Sequence, residues 1–213
     1  MANIVKFGAK VLVATALLSS TAVANQVFVG VEGALIQTKV TLNDEYPSVL
    51  DDLSDSSVEL GFKAGYDFGD YRVWGGYAYR TKGSEDVDYK NGGDYLKGEF
   101  SWTTHNILVG ADYTPTIAES FKLVLGAYTG ISFVKGEFEG SGHYTRWPYT
   151  YTLSSDSVSG TGALIGAKVG GLYAINDNNE IELGVKANYQ STGIEDFDNA
   201  TNYGVYLGYN YKF

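Results

Sequence analysis

Apolar and polar residues alternate one by one through most of this chain, a period that places successive side chains on opposite faces of a β-strand. The last segment is the clearest. Tyr203, Val205, Leu207, Tyr209, Tyr211 and Phe213 share one parity, and Asn202, Gly204, Tyr206, Gly208, Asn210 and Lys212 the other. Residues 180–190 repeat it, with Ile181, Leu183, Val185, Ala187 and Tyr189 opposite Glu180, Glu182 and Lys186. Segments 57–68, 71–80, 27–36, 121–133 and 163–173 follow the same rule. Residues 99–114 are less regular: Ile107, Val109, Ala111 and Tyr113 alternate, whereas Phe100 and Trp102 take the opposite parity. Two explanations stand open, a β-bulge that changes phase near His105 or an upper segment standing clear of the apolar belt. No stretch sustains a 3.6-residue stripe, so the pattern predicts eight strands and no helical domain.

The second parity decides what the apolar face meets. It mixes glycine with charge, a poor exposed face for a water-soluble sandwich but a suitable lining for a narrow enclosed interior. A bilayer admits no open sheet edge, so strands that cross it must close on themselves. The predicted fold class is therefore all-β, an eight-stranded antiparallel transmembrane β-barrel, with the apolar parity toward lipid.

Connections agree with this. Long links at 38–56, 82–98, 136–157 and 191–201 alternate with short ones at 68–71, 114–117 and 176–179. An even strand count then puts both ends of the barrel chain on the short-turn, periplasmic side, with the long loops extracellular.

The first 24 residues read as an export leader. Lys6 and Lys10 precede the apolar run Val11–Leu18, and Ala22-Val23-Ala24 has the A-x-A form of a cleavage site. That run falls well short of the roughly 20 residues of a helical span. The expected organisation is a signal peptide over 1–24 and a barrel domain over 25–213.

Charge narrows the function classes. The chain carries −10, and removing the leader's two lysines leaves about −12. This disfavours nucleic-acid binding through a basic surface. With no cysteine, thiolate metal sites and disulfides are excluded. Acids gather in the long links: Asp44, Glu45, Asp51, Asp52 and Asp55, then Glu85, Asp86, Asp88 and Asp94, then Glu195, Asp196 and Asp198. They serve solubility, cation bridging to anionic headgroups, or attraction of a basic partner. None has the spacing of an EF-hand loop, and no metal or cofactor is expected.

The third long link differs. His143, Tyr144, Arg146, Trp147 and Tyr149 join flexible Gly and Ser residues, a composition suited to recognition surfaces. The alternation of Tyr149, Tyr151 and Leu153 equally fits a hairpin continuing above the membrane.

Inward positions hold Glu32, Glu59, Asp67, Asp112, Glu180 and Glu182 together with Lys63, Arg72, Arg80, Lys122, Lys168, Lys186 and Lys212. So many charges cannot stay dry and unpaired in a narrow lumen. An ion-pair plug is the expected arrangement, and a small conductance path lined by these groups is the rival.

Catalytic patterns are missing. Neither His105 nor His143 begins an H-E-x-x-H pair, and no G-x-S-x-G elbow or phosphate-binding loop occurs. Ser101 and His105 share a strand face but lie about 13 Å apart along it, too far for direct contact. Glu180 and Glu182 sit among lysines and read as ion-pair members. The expectation is a protein without enzyme activity.

These features together resemble the small bacterial outer-membrane β-barrel superfamily that includes the OmpA transmembrane domain, OmpX-like and opacity-protein-like barrels. The resemblance covers nearly all of 25–213 and is strongest in the leader and in Tyr203–Phe213. It implies that Tyr209, Tyr211 and Phe213 form a signal for the outer-membrane assembly machinery, with periplasmic chaperones as transient partners. It also implies surroundings of outer-membrane lipid and lipopolysaccharide, and a possible extracellular ligand. The chain departs from the lipid A deacylase barrels, whose His-x-Ser arrangement has no match at His105-Asn106-Ile107 or His143-Tyr144-Thr145. The expected function is that of a surface protein with a structural or loop-mediated recognition or adhesion role. The alternative is a narrow porin-like channel for small solutes or ions.

Overall fold

A computed structural model describes residues 26–42, 53–91, 94–143, 150–194 and 197–213. They form one antiparallel sheet of β1 (Gln26–Leu42), β2 (Leu53–Asp67), β3 (Tyr71–Asn91), β4 (Asp94–Tyr113), a three-residue β5 (Thr116–Ala118), β6 (Phe121–His143), β7 (Thr150–Ala174), β8 (Asn179–Ile194) and β9 (Phe197–Lys212). Neighbours run β4-β3-β2-β1-β9-β8-β7-β6, and pairing of β4 with β6 closes the ring. Eight long strands thus make a closed antiparallel barrel, as the alternation predicts. β5 is an addition: it lies within the 114–120 turn and folds back on the start of β6.

The period-two pattern sets which face is which. Leu35, Leu60, Ile165, Leu183 and Leu207 are exposed on the outside, while their chain neighbours Ala34, Glu59, Leu164, Glu182 and Tyr206 are buried within. Such a wall would be ruinous in water and is suited to hydrocarbon. At one end the belt finishes in Tyr71, Tyr113, Tyr173, Tyr211 and Phe213, ring types that settle at a membrane interface. Toward the other end it gives way on β1 to Gln37, whose side-chain oxygen accepts a hydrogen bond from Ser56 at 2.7 Å.

The seam between first and last strands is laddered from Phe28 opposite Lys212 to Leu42 opposite Phe197, with one register shift between Thr41 and Leu42. Phe213 N–H also donates to the Val27 carbonyl at 3.0 Å. Both strand ends therefore lie at the end that carries the turns at 68–70, 114–120 and 175–178.

One sequence reading needs correction, and one left open is narrowed. First, much of the four long links is strand. The β6–β7 ladder continues to His143 opposite Thr150, and the β3–β4 ladder to Asn91 opposite Asp94. The extra residues satisfy their backbone groups by pairing across the hairpin rather than looping into solvent. One side of the barrel is consequently taller: β3, β4, β6 and β7 hold 20 to 25 residues each, against 15 to 17 for β1, β2, β8 and β9.

Second, β4 keeps its phase through residues 99–105. Its ladder with β6 runs without a break from Tyr95 to Tyr113. The bulge lies on β3 instead, between Arg80 and Gly83, where three steps of β3 match two of β4. Trp102 therefore stays on the inner parity and is buried, 7% exposed, inside the hairpin end of the lumen. The Phe100 side chain lies outside the described residues.

Candidate functional site

The interior is where chemistry concentrates. Inward residues from seven of the strands form one connected set of ion pairs. Starting near the turn end, the Lys212 ammonium lies 3.2 Å from Asp67 and contacts Glu180. Arg72 spans Glu180 at 3.5 Å, Glu182 at 3.4 Å and Asp112 at 3.7 Å. Lys168 bridges Asp112 and Glu182, both at 3.0 Å. Lys63 joins Glu182 at 2.9 Å to Glu32 at 3.8 Å. Lys186 then ties Glu32 at 2.6 Å to Glu59 at 2.7 Å, and Arg80 caps Glu59 at 2.9 Å. Six carboxylates meet six cations, so the network is neutral as a whole.

Glu182 is the hub. It is fully buried, 0% exposed, and besides Lys63, Arg72 and Lys168 it accepts from the Tyr206 hydroxyl at 3.0 Å and the Asn210 amide at 3.2 Å. Desolvating a carboxylate costs several kcal/mol, and only dense, well-directed partners offset it. Of the thirteen inward charges expected from sequence, Lys122 alone stands apart. Its ammonium donates to the Gly69 carbonyl at 2.9 Å, beside the turn, and among the described residues no carboxylate pairs with it.

Above the ions the lining becomes neutral, a part of the site that charge counting does not find. Asn202 accepts from Arg80 at 2.6 Å and Thr38 at 2.7 Å, and donates to Asn188 at 2.8 Å. Gln190 donates to Ser132 at 2.8 Å, and Asn188 to the Tyr128 hydroxyl at 3.3 Å. Inner parity was the available signal for these amides.

Inward glycines make room for the large side chains. Tyr206 faces Gly184 in the β8–β9 ladder, and Gly184 faces Gly170 on β7. A methyl at Gly184 would meet the Tyr206 ring at 2.9 Å, and one at Gly170 its hydroxyl at 2.8 Å. Tyr128 likewise lies over its partner Gly166, and Trp74 over Gly110. Lys168 stacks 5.1 Å from the Trp74 ring centroid, and Arg72 lies 5.4 Å from that of Phe28.

A cavity of about 30 Å³ lies among Glu32, Glu59, Trp74, Asn106, Tyr128, Lys168, Lys186 and Asn188, room for about two water molecules. Asn106 lines it, and its side-chain oxygen has no hydrogen-bond partner among the described residues, so a water in the cavity would serve it as donor.

The other expected sites separate. His105 points outward, its Nδ1 2.6 Å from the Tyr77 hydroxyl. Ser101 is buried and donates to the Glu137 carbonyl at 3.3 Å, so the two make no nucleophile–base pair. Glu180 and Glu182 are bridged by Arg72. Tyr209, Tyr211 and Phe213 all face outward; Tyr209 bonds through its hydroxyl to Asn179. Of the third-link residues, Tyr144, Arg146, Trp147, Tyr149 and the His143 side chain lie outside the described residues. Among the described residues no three His, Asp or Glu side chains are grouped to hold a metal ion.

The model of a family described as "Outer membrane protein beta-barrel domain" matches residues 11–213. No curated protein matches the chain by sequence. Among solved structures, Neisserial surface protein A is 20% identical, with 88% of this chain and 97% of that one covered and a TM-score of 0.54. Ail, the attachment invasion locus protein of Yersinia pestis, is 19% identical over 87% and 98% at a TM-score of 0.46. Outer membrane protein H of Pseudomonas aeruginosa is 20% identical over 88% and 99% at 0.43.

Proposed function

The chain belongs to the outer membrane protein β-barrel domain family, and from that premise we propose that it is a surface protein of the outer membrane whose barrel is a sealed, non-catalytic support and whose work is recognition at the hairpin end. In this reading residues 1–24 are removed as a leader, the turn end and both strand ends face the periplasm, and the tall β3–β4–β6–β7 side stands outside the cell. Outward Tyr209, Tyr211 and Phe213 serve recognition by the assembly machinery, with periplasmic chaperones as earlier, transient partners. Lipid and lipopolysaccharide surround the apolar belt.

One observation carries the reading: the inward charges neutralise one another in a continuous network, and the cavity among the described lining residues Glu32, Glu59, Lys168 and Lys186 holds about 30 Å³. On this reading the packed network closes the lumen to solutes, whereas β6 and β7 outgrow the barrel as far as His143 and Thr150, on either side of the segment with Tyr144, Arg146, Trp147 and Tyr149 in its sequence. The chain has no cysteine, which makes orientation easy to test. A membrane-impermeant maleimide on intact cells labels Val158→Cys and spares Asp70→Cys. Replacing residues 144–149 by a Gly/Ser linker abolishes adherence of expressing bacteria to a panel of host-cell and matrix surfaces. Adherence that exists and survives this replacement sinks the loop assignment. Reproducible conductance would instead favour the channel alternative.

A further inference from the structure

Lys212 and Phe213 lie past the last pair of the β8–β9 ladder, which ends at Asn179 opposite Tyr211. An ordinary ladder would leave their main chain open on that side. Instead the Asn176-Asp177-Asn178-Asn179 turn continues it by one residue. In a hydrogen-bonded antiparallel pair each residue gives one N–H and accepts one. Here the Lys212 N–H donates to the Asn178 carbonyl at 2.8 Å. The return bond to the Lys212 carbonyl comes from the Asn178 side-chain amide, also at 2.8 Å.

The turn's own geometry makes that replacement possible. The Asn176 side-chain oxygen accepts from the Asn178 N–H at 3.1 Å and the Asn179 N–H at 3.0 Å, so the Asn178 backbone donor is already occupied. It also accepts from the Asn179 side-chain amide at 2.7 Å, which leaves the Asn179 oxygen to the Tyr209 hydroxyl. Asn176 thus shapes the turn, Asn178 holds Lys212 and Asn179 holds Tyr209. The other two turns bond to each other rather than to β9. The Gly69 carbonyl takes Lys122 and Thr114, and the Thr114 N–H goes to the Asp70 carbonyl.

The residues held in this way fall within the assembly signal. Its rings stay outside in the closed barrel, Tyr209 42% and Phe213 67% exposed, so closure does not hide them. What closure takes out of reach is polar: the Tyr209 hydroxyl and the Lys212 N–H and carbonyl. A group bonded to the turn is not free for another protein. The β8–β9 ladder runs from Ile194 opposite Phe197 to Asn179 opposite Tyr211. The turn therefore sits at its far end, where a protein gripping the end of β9 must let go before the last bonds form.

We propose that Asn178 and Asn179 are internal receivers of the assembly signal. They take Lys212 and Tyr209 over from the assembly machinery and so set the rate at which the closed barrel is released. This rests on the assembly-signal reading above and adds to it the step that ends recognition.

The test follows the full chain in cells, with Tyr211→p-benzoylphenylalanine as a photo-crosslinker on the outward face. After a pulse of synthesis, ultraviolet light at successive times traps the chain still held by the machinery's outer-membrane subunit, identified by antibody. Asn178→Ala lengthens the lifetime of that adduct about fivefold, the rate equivalent of one net hydrogen bond. Asn178→Asp, which keeps the size and replaces the donor by an acceptor, does the same. Asp177→Ala, at an exposed neighbour, leaves the lifetime within about twofold. Purified Asn178→Ala refolds into lipid vesicles at a rate within about twofold of wild type, because bonds that form last act on unfolding. An unchanged adduct lifetime in both Asn178 variants overturns the receiver and leaves the assembly-signal reading standing. Refolding in vesicles slowed to the same extent assigns Asn178 to stability alone and overturns it too. No adduct when Asn178 is intact removes the signal reading, and the receiver falls with it.

Discussion

The Tyr206 ring lies over Gly184, its partner on the next strand, and from there its hydroxyl reaches Glu182 at 3.0 Å. Residue size and hydrogen bonding are coupled here: the absent side chain at 184 is what lets the phenol reach the hub of the ion network. Tyr206→Phe keeps the packing and removes one donor to a buried carboxylate. It should lower stability by about 1.5–3 kcal/mol, read from urea unfolding in lipid vesicles. Gly184→Ala should also destabilise with the hydroxyl intact, because a methyl there meets the Val169 carbonyl and Gly170 Cα as well as the Tyr206 ring, and an unchanged midpoint for both variants would discredit the coupling.

Glu182 holds three cations at once. Glu182→Gln leaves Lys63, Arg72 and Lys168 short of a counter-charge inside the barrel, so the expected loss is about 3–5 kcal/mol. Lys168→Met alone leaves Asp112 and Glu182 each without one partner. Combining the two changes should cost clearly less than their sum, because the pair is then removed together. Strict additivity in this double-mutant cycle would mean that the two groups do not interact.

Trp102 gives a direct check on the lumen. In a variant keeping Trp102 but with Trp74→Phe and Trp147→Phe, brominated lipid tails should quench the fluorescence weakly, because the indole faces inward and is 7% exposed. A residue turned out by a bulge in β4 would be quenched strongly.

Legibility followed the physics of alternation. Fold class, strand number, and the inward placement of Glu182, Arg72 and Lys168 come directly from parity, since a one-residue slip would turn every side chain to the wrong face. Partner choice among those charges did not. Lys122 shares their parity, yet its height beside the turn sends it to the Gly69 carbonyl. Strand ends were also misread. Glu85, Asp86 and Asp88 look like loop residues by composition, but hairpin pairing of their backbone extends β3 to Asn91. A bulge near His105 was one of two readings of residues 99–105, because Trp102 is apolar on a polar parity; the bulge lies on β3, and inside a lumen a large ring is also a legitimate filler.

Closure predicts an effect of the last residue. Deleting Phe213 removes an outward ring, 67% exposed, and the bond from its N–H to Val27 at the seam. The level of protein reaching the outer membrane should fall by several-fold, about that expected for losing 1–2 kcal/mol of seam and docking contacts, as measured by fractionation. Phe213→Tyr should restore most of it. Equal levels for the wild type and the deletion would remove the residue from assembly.

The measurement that bears most directly on the sealed support is single-channel recording of the purified full chain in planar bilayers. A lumen closed by the Glu182, Lys168 and Lys186 network predicts a flat baseline for wild type at any applied voltage the bilayer tolerates. Reproducible opening steps in wild type that change in size with Arg72→Ala or Lys168→Ala would contradict it, because current would then be passing through the groups assigned here to close the barrel.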